Sequence, residues 1–385
     1  MPVMSRQRCR FVFLLLFFIV GRCFLFSENI GLKGMLFGWL TANFSDSTQI
    51  QLGVRYIPEL SFTKSINDTA TLDASFSISS DGTAFFHSGQ TDTDADVDLY
   101  RMWLRFASSQ FEVRIGLQKI NFGPGVLLRP LMWFDRIDPR DPLRVTKGVY
   151  GLLGRYYFLN NANVWGWVLY GNEQTKGWEI IGTADDSIEY GGRVQLPLFH
   201  GEVAFTYHHR TADLFKSPYV FIPEIDSIIP ENRFALDGKW DIGVGFWFEG
   251  VLIHQNTEAF PFSYRHMLTV GLDYTFGVGN GLNGLVEHLI LENSDKAFRS
   301  GEGSDFSGIS LNYPVSLLDS LSGILFYDWE SENFYRYVSW QRTYDKWRIF
   351  IIGFWNPEQF RIYQTQSAHT LFAGKGFQIM VVFNH

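Results

Sequence analysis

Three observations predict an all-β chain closed into a transmembrane antiparallel β-barrel of sixteen to eighteen strands, with eighteen the best count. Aromatic residues make up 17% of the 385 residues, with 37 Phe, 17 Tyr and 12 Trp, yet the mean hydropathy is only −0.03. An apolar outside, a polar inside and aromatic rims combine those two properties in one barrel. Segments of about ten residues alternate with period two, the length a tilted strand needs to cross a bilayer. The connections between them alternate long and short, the rhythm of barrels with short periplasmic turns and long extracellular loops.

The chain begins with an export pattern. Arg6, Arg8 and Arg10 precede the apolar run 11–20, which is too short to span a bilayer, so residues 1–27 read as a signal peptide cleaved after position 23 or 27. A lipid anchor on Cys23 is the alternative, but Arg22 stands where such signals carry a small residue. Cys9 and Cys23 both belong to this segment, so residues 28–385 form a single barrel domain without cysteine. The location implied is the outer membrane, with membrane lipid as the barrel's solvent. No later window is long and apolar enough for a membrane helix.

Strands are predicted at 33–44, 47–59, 71–80, 98–107, 110–120, 148–158, 163–172, 187–196, 200–209, 232–240, 243–255, 265–277, 281–293, 305–313, 321–330, 334–343, 346–354 and 374–383. Long connections cover 81–97, 121–147, 173–186, 210–231, 294–304 and 355–373. Short ones fall at 108–109, 159–162, 197–199, 241–242, 278–280 and 344–345. Exceptions to the rhythm are brief outer turns at Ser45-Asp46 and 331–333 and a rather long inner turn at 60–70. Two secreted β-sandwiches are the alternative, but their outward faces should be polar. Here apolar faces dominate: Tyr100, Met102, Leu104 and Phe106 alternate against Leu99, Arg101, Trp103 and Arg105.

The stretch 113–147 organises the rest. Val113, Ile115 and Leu117 alternate with Arg114, Gly116 and Gln118 as a strand, which Gly123-Pro124-Gly125 must end. The loop that follows carries Arg129, Arg136, Arg140, Arg144 and Lys147 against Asp135, Asp138 and Asp141. Leu127, Leu128, Leu131, Met132, Trp133 and Phe134 give it an apolar body that disorder would leave exposed.

That stretch also carries a resemblance. Arg114, Gly116, Gln118, Ile120, Gly123, Pro130, Phe134, Asp138 and Pro139 match the R-x-G-x-Q-x-I-x-x-G…P…F…DP block of Gram-negative outer-membrane channels of the alginate-export and carbohydrate-porin type. The block covers under a tenth of the chain. The resemblance implies a passive or substrate-guided pore for small polar solutes, carbohydrates or organic anions. The last strand looks like the signal read by the barrel-assembly machinery, which usually ends on an aromatic residue; here Asn384 and His385 follow Phe383. General porins fold the loop after the fifth strand into the lumen, and 121–147 follows the fifth strand. The alternative is an external cap, but an inward fold buries the apolar residues while keeping the charges wet.

Strand parity points Arg101, Arg105, Arg114, Arg155 and Arg193 into the lumen from strands four to eight, with Glu112, Gln118 and Glu189 among them. Strands ten to thirteen offer Asp237, Glu249, Asp273 and Glu287, with Lys239 set against them. With Arg129, Asp135, Arg136, Asp138 and Arg140 from the loop, these residues are the candidate constriction. A basic wall facing an acidic one predicts a field across the pore. Trp103 and Trp247 share the inward parity and offer flat faces to sugar rings.

Other chemistry finds little support. No HExxH, phosphate loop or G-x-S-x-G elbow occurs, so no catalytic residue, metal or cofactor is predicted, and the protein does not read as an enzyme. Adjacent His208 and His209 point to opposite faces of a strand, which suits rim histidines rather than a metal site. The net charge of −8 argues against nucleic acid. The rival reading is a non-conducting surface barrel that holds exopolysaccharide or capsule. Whether the barrel is a monomer or a homotrimer stays open.

Overall fold

A computed structural model describes residues 29–44, 48–216, 227–255, 262–358 and 372–385. The predicted signal peptide 1–27, the turn at Ser45-Asp46 and parts of the connections 210–231 and 355–373 lie outside the described residues.

The described residues form eighteen strands: β1 (Asn29–Asn43), β2 (Gln49–Asn67), β3 (Ala70–His87), β4 (Gln90–Ser108), β5 (Phe111–Gln118), β6 (Val149–Tyr157), β7 (Asn163–Tyr170), β8 (Ile188–Leu198), β9 (Gly201–Asp213), β10 (Ile228–Asp241), β11 (Gly245–Gln255), β12 (Tyr264–Phe276), β13 (Leu282–Ser294), β14 (Glu302–Pro314), β15 (Asp319–Asp328), β16 (Asn333–Thr343), β17 (Trp347–Trp355) and β18 (Lys375–Asn384). Each pairs antiparallel with its neighbours in sequence, and β1 pairs with both β2 and β18, so the sheet closes without an end. Closure satisfies the backbone where water is absent. Every predicted strand is present.

The outer face follows the alternation. Leu152, Val168, Leu236, Leu272, Val286 and Ile351 are exposed in mid-wall. Exposed rings stand at both ends: Tyr156, Tyr274, Phe276, Tyr344 and Trp347 toward the short turns, and Tyr190, Trp329, Phe334 and Trp355 toward the long loops. That arrangement fits an apolar belt between two aromatic girdles.

Three local expectations need correction. The predicted long loop 81–97 is strand: β3 runs to His87 and β4 starts at Gln90, joined by Ser88 and Gly89 at φ 49° and 80°. Thr91 to Asp98 is too polar for a membrane strand, but a hairpin that extends past the end of β5 needs no apolar face. The inner turn predicted at 60–70 shrinks to Asp68-Thr69, where Asn67 Oδ1 accepts the Thr69 N–H at 2.9 Å. Leu99 is not on the lumen side. Ser77 pairs with Arg101 and Ile78 with Leu99, so Tyr100 is a bulge that reverses the parity beyond it. Asp92, Asp94, Asp96 and Asp98 therefore share a face with Arg101, Trp103 and Arg105.

The lumen is less polar than a simple pore requires. Phe306, Phe326, Tyr335, Tyr337, Phe350 and Phe354 all point inward from β14 to β17 and are buried. Indoles also lie over cross-strand glycines inside the wall. Trp39 covers Gly53, Trp167 covers Gly191 and Trp247 covers Gly271.

Candidate functional site: a lumen crossed by two loops

The connection 119–148 folds into the barrel, as its apolar body requires. Gln118 is fully buried and staples the start of the loop, donating to Arg114 O at 3.2 Å and Gly151 O at 3.0 Å. Beyond it, Ile120, Phe122, Leu127, Leu128, Leu131, Met132, Trp133 and Phe134 join one apolar cluster that reaches residues of β1, β6, β7 and β10 to β18. The cluster spans the lumen from wall to wall.

Two carboxylates on the far wall hold the loop there. Glu249 of β11 accepts the N–H groups of Gly125 at 2.6 Å and Leu131 at 3.0 Å. Glu287 of β13 accepts those of Val126, Leu127 and Leu128 at 2.7, 2.7 and 2.6 Å. Thr269 of β12 donates to Leu128 O at 2.8 Å. Five backbone donors converging on two carboxylates form strong, charge-assisted bonds. Glycine is required where the loop meets Glu249, because a Cβ on Gly123 or Gly125 would strike its carboxylate, and Gly123 also has φ 89°.

Two of the loop's arginines are paired with aspartates within it. Arg129 bonds Asp135 at 3.1 Å and Asn121 at 2.6 Å. Arg140 grips Asp138 at 2.5 to 2.9 Å and reaches the Tyr337 hydroxyl at 3.2 Å. Burial works against the Arg140 charge, but Asp138 outweighs it and holds the guanidinium above its ordinary pKa. Asp141 accepts N–H groups from Leu143 and Val145, and its pKa is raised because burial outweighs those bonds. Burial lowers Arg136, partly offset by Glu179, and Arg136 turns to Thr175 Oγ1 at 2.7 Å.

That last contact belongs to a second inward loop, 171–187, which sequence reasoning treated only as a long connection. Gly177 N–H donates to Asp135 O at 3.1 Å and the Trp178 indole to Arg129 O at 2.8 Å, so the second loop backs the first. Its Lys176 and Glu179 enter a buried network with Glu189, Arg210, Glu231 and Arg233. Lys176 bonds Glu189 at 2.8 Å, Arg210 bonds Glu231 at 2.6 Å, and Arg233 bonds Glu179 at 2.7 Å. Three cations balance three carboxylates. His208 is buried in the lumen rather than at the rim: the Trp167 indole donates to its Nδ1 at 3.2 Å, so Nε2 carries the proton toward Glu189 at 3.2 Å.

Below the loops, toward the short turns, lies an arginine cluster. Glu112 has Arg114 at 2.9 Å, Arg155 at 3.9 Å and Arg105 at 4.0 Å. Arg105 also bonds Asp73 at 2.7 Å. Arg114 stacks over Trp103 at 4.9 Å and Arg155 over Trp165 at 3.8 Å. Three guanidinium groups against two carboxylates leave one positive charge in surplus, in a partly solvated wall.

The other candidates separate. Arg101 is occupied, donating to Thr146 O at 2.9 Å and Tyr100 O at 2.5 Å. Arg193 and Asp237 do not face each other across the pore; they form a buried bidentate pair at 2.6 and 2.7 Å on neighbouring wall. Asp273 is level with Gly245 beside the short turns, away from the loop. The expected field between a basic and an acidic wall therefore fails, because Glu249 and Glu287 bind loop backbone and Asp237 binds Arg193. Trp247 offers no face to a sugar, being 2% exposed with its indole donating to Glu287 at 2.9 Å. Among the described residues no group of His, Cys, Asp and Glu is placed to hold a metal ion.

Solved structures share this architecture. The anion-selective porin from Comamonas acidovorans matches with a TM-score of 0.50 at 11% identity, over 93% of this chain and 99% of that one. OccAB4 of Acinetobacter baumannii matches with a TM-score of 0.55 at 7% identity, over 93% and 98%. OccK7 of Pseudomonas aeruginosa matches with a TM-score of 0.55 at 8% identity, over 92% and 99%. At such identities the likeness shows the fold alone: a closed antiparallel β-barrel of the porin kind. None of these three is named as an alginate-export or carbohydrate-specific channel, so the resemblance drawn from the 113–139 block narrows to the porin barrel. No family profile matches the sequence. No curated protein matches it either.

Proposed function

We propose that the protein is an outer-membrane channel for small solutes, with a preference for small organic anions. The observation that carries this reading is the cluster of Arg105, Arg114 and Arg155 around Glu112, which leaves a surplus guanidinium charge beneath the loops. Guanidinium groups stay ionised and hold carboxylates in a planar, two-point grip. Burial along the barrel wall strengthens such a contact relative to bulk water. The anion-selective Comamonas porin is compatible with this choice through its fold.

The reading implies a narrow channel, since the apolar cluster crosses the lumen above the arginines. That same cluster favours the rival, a closed barrel that holds surface polysaccharide. Planar-bilayer recording separates the two. Ohmic steps with a reversal potential favouring anions support the channel; a silent barrel that retains polysaccharide supports the rival.

A further inference from the structure

The barrel wall is incomplete beside β4. Its pairing with β5 stops at Met102, opposite Leu117, while its pairing with β3 continues to Gln90. Among the described residues, the segment 90–101 therefore has one edge with no strand beside it. A free edge presents alternate N–H and C=O groups and is a template for another strand. At its foot, the returning loop touches the edge: Lys147 pairs with Asp98, and Arg101 holds Thr146 O. Above Asp98 no strand of the described residues pairs with this edge.

Two independent features say what fits it. The first is charge. Asp92, Asp94 and Asp96 occupy one face of this edge, all exposed, and none has an ion pair among the described residues. Their spacing of two residues, about 7 Å, equals the same-face spacing on any strand added alongside. A second copy pairing edge to edge would set aspartate against aspartate, which is unfavourable. The second feature is a cavity of about 590 Å³ where the edge ends, in the gap between β4 and β6. Leu99, Leu117, Phe134, Val145 and Tyr150 supply its apolar lining, and its charged lining is balanced, so the cavity selects for an apolar side chain rather than for charge. Its size falls within the range of ligand pockets.

We infer that the free edge of β4, from Gln90 to Leu99, docks an extended basic peptide by strand addition, with an apolar residue of that peptide seated in the cavity. Main-chain bonds to the edge supply affinity. Lysine or arginine at alternate positions meets Asp92, Asp94 and Asp96. The inference does not rest on the channel reading, since the edge carries no residue of the arginine cluster and only the cavity at its foot meets the inward loops.

The test uses the full-length protein refolded in detergent and a synthetic ten-residue peptide alternating lysine with threonine and ending in leucine. Binding is followed by thermophoresis, and backbone hydrogen exchange is followed across β4. The expected result is saturable binding with slowed exchange at 90–99. D92N, D94N and D96N together weaken it by roughly tenfold, the product of three exposed cross-strand charge pairs. The same peptide N-methylated on alternate backbone amides binds much more weakly, because it cannot complete the ladder. Absence of binding overturns the proposal. So does binding that N-methylation leaves unchanged without added protection at 90–99, since that is charge attraction alone. Equal binding of a serine–threonine peptide overturns the charge assignment. Unchanged heat-modifiable mobility of the triple variant shows that the barrel itself is intact.

Discussion

The indole of Trp247 donates to Glu287 Oε1 at 2.9 Å, and the two oxygens of that carboxylate also receive three successive N–H groups of the loop. Trp247 thereby fixes the carboxylate's orientation, and the carboxylate fixes the loop across the lumen. Removing it strands three buried N–H groups and one indole N–H, each at about 1–3 kcal/mol. E287A, and more so E249A with E287A, should free residues 123–131 from the far wall. The expected outcome is new protease cleavage within 119–148 and at least about a twofold rise in single-channel conductance, with heat-modifiable mobility retained. A barrel that keeps both its cleavage pattern and its conductance would show that the apolar contacts alone seat the loop.

Arg114 and Arg129 should behave differently on replacement. R114A with R155A leaves Glu112 facing only Arg105, which already bonds Asp73, so the cluster loses its positive surplus. Selectivity should shift toward cations, read as a changed reversal potential in a KCl gradient, with the loop's protease resistance unchanged. R129A instead breaks the pair with Asp135 inside the loop and should raise conductance with a smaller change in selectivity. If R114A with R155A leaves the reversal potential where it was, the cluster does not set selectivity.

Much of this architecture is legible in the sequence because a period of two fixes which face of a strand is buried. All eighteen strands follow from it, down to Phe377, Ile379 and Val381 outward against Gln378, Met380 and Val382. The parity of Leu99 is not legible, since a single unpaired residue, Tyr100, reverses it without any compositional mark. The inward fold of 119–148 is legible from its run of leucines and aromatics. The partners of Glu249 and Glu287 are not, because backbone N–H groups have no residue signature. The network of Lys176 and Glu179 with Arg210, Glu231 and Arg233 joins positions far apart in sequence, and all but Arg233 fall in stretches that read as the connections 173–186 and 210–231, where no alternation says which way a side chain faces.

Gly271 lies under Trp247, and a Cβ there would meet the indole ring. Aromatic side chains laid over cross-strand glycines are a known way to pin register in a curved sheet. G271A should displace Trp247 and, with it, the Glu287 carboxylate. Overpacking of this kind costs about 1–3 kcal/mol, read as a lower urea midpoint in detergent. Conductance should rise as in E287A. A lower midpoint with unchanged conductance would separate Trp247 from the loop anchor.

Arg193 and Asp237 allow the buried-charge argument to be tested without touching the loop. Both are almost fully buried, Arg193 also reaches Thr206 Oγ1 at 2.9 Å, and its guanidinium stands 5.2 Å from the Phe122 ring. D237N leaves that guanidinium with no compensating charge, a loss of about 3–5 kcal/mol for a buried pair broken on one side. The double variant R193M with D237L removes both charges together and should recover most of that loss, because the desolvation penalty disappears with them. Urea midpoints of R193M, D237L and the double variant form the cycle, with D237N beside them as the isosteric loss of charge. A double variant as unstable as D237N would mean that the pair does more than neutralise itself: Arg193 would be holding Phe122, and through it the first turn of the loop, in place.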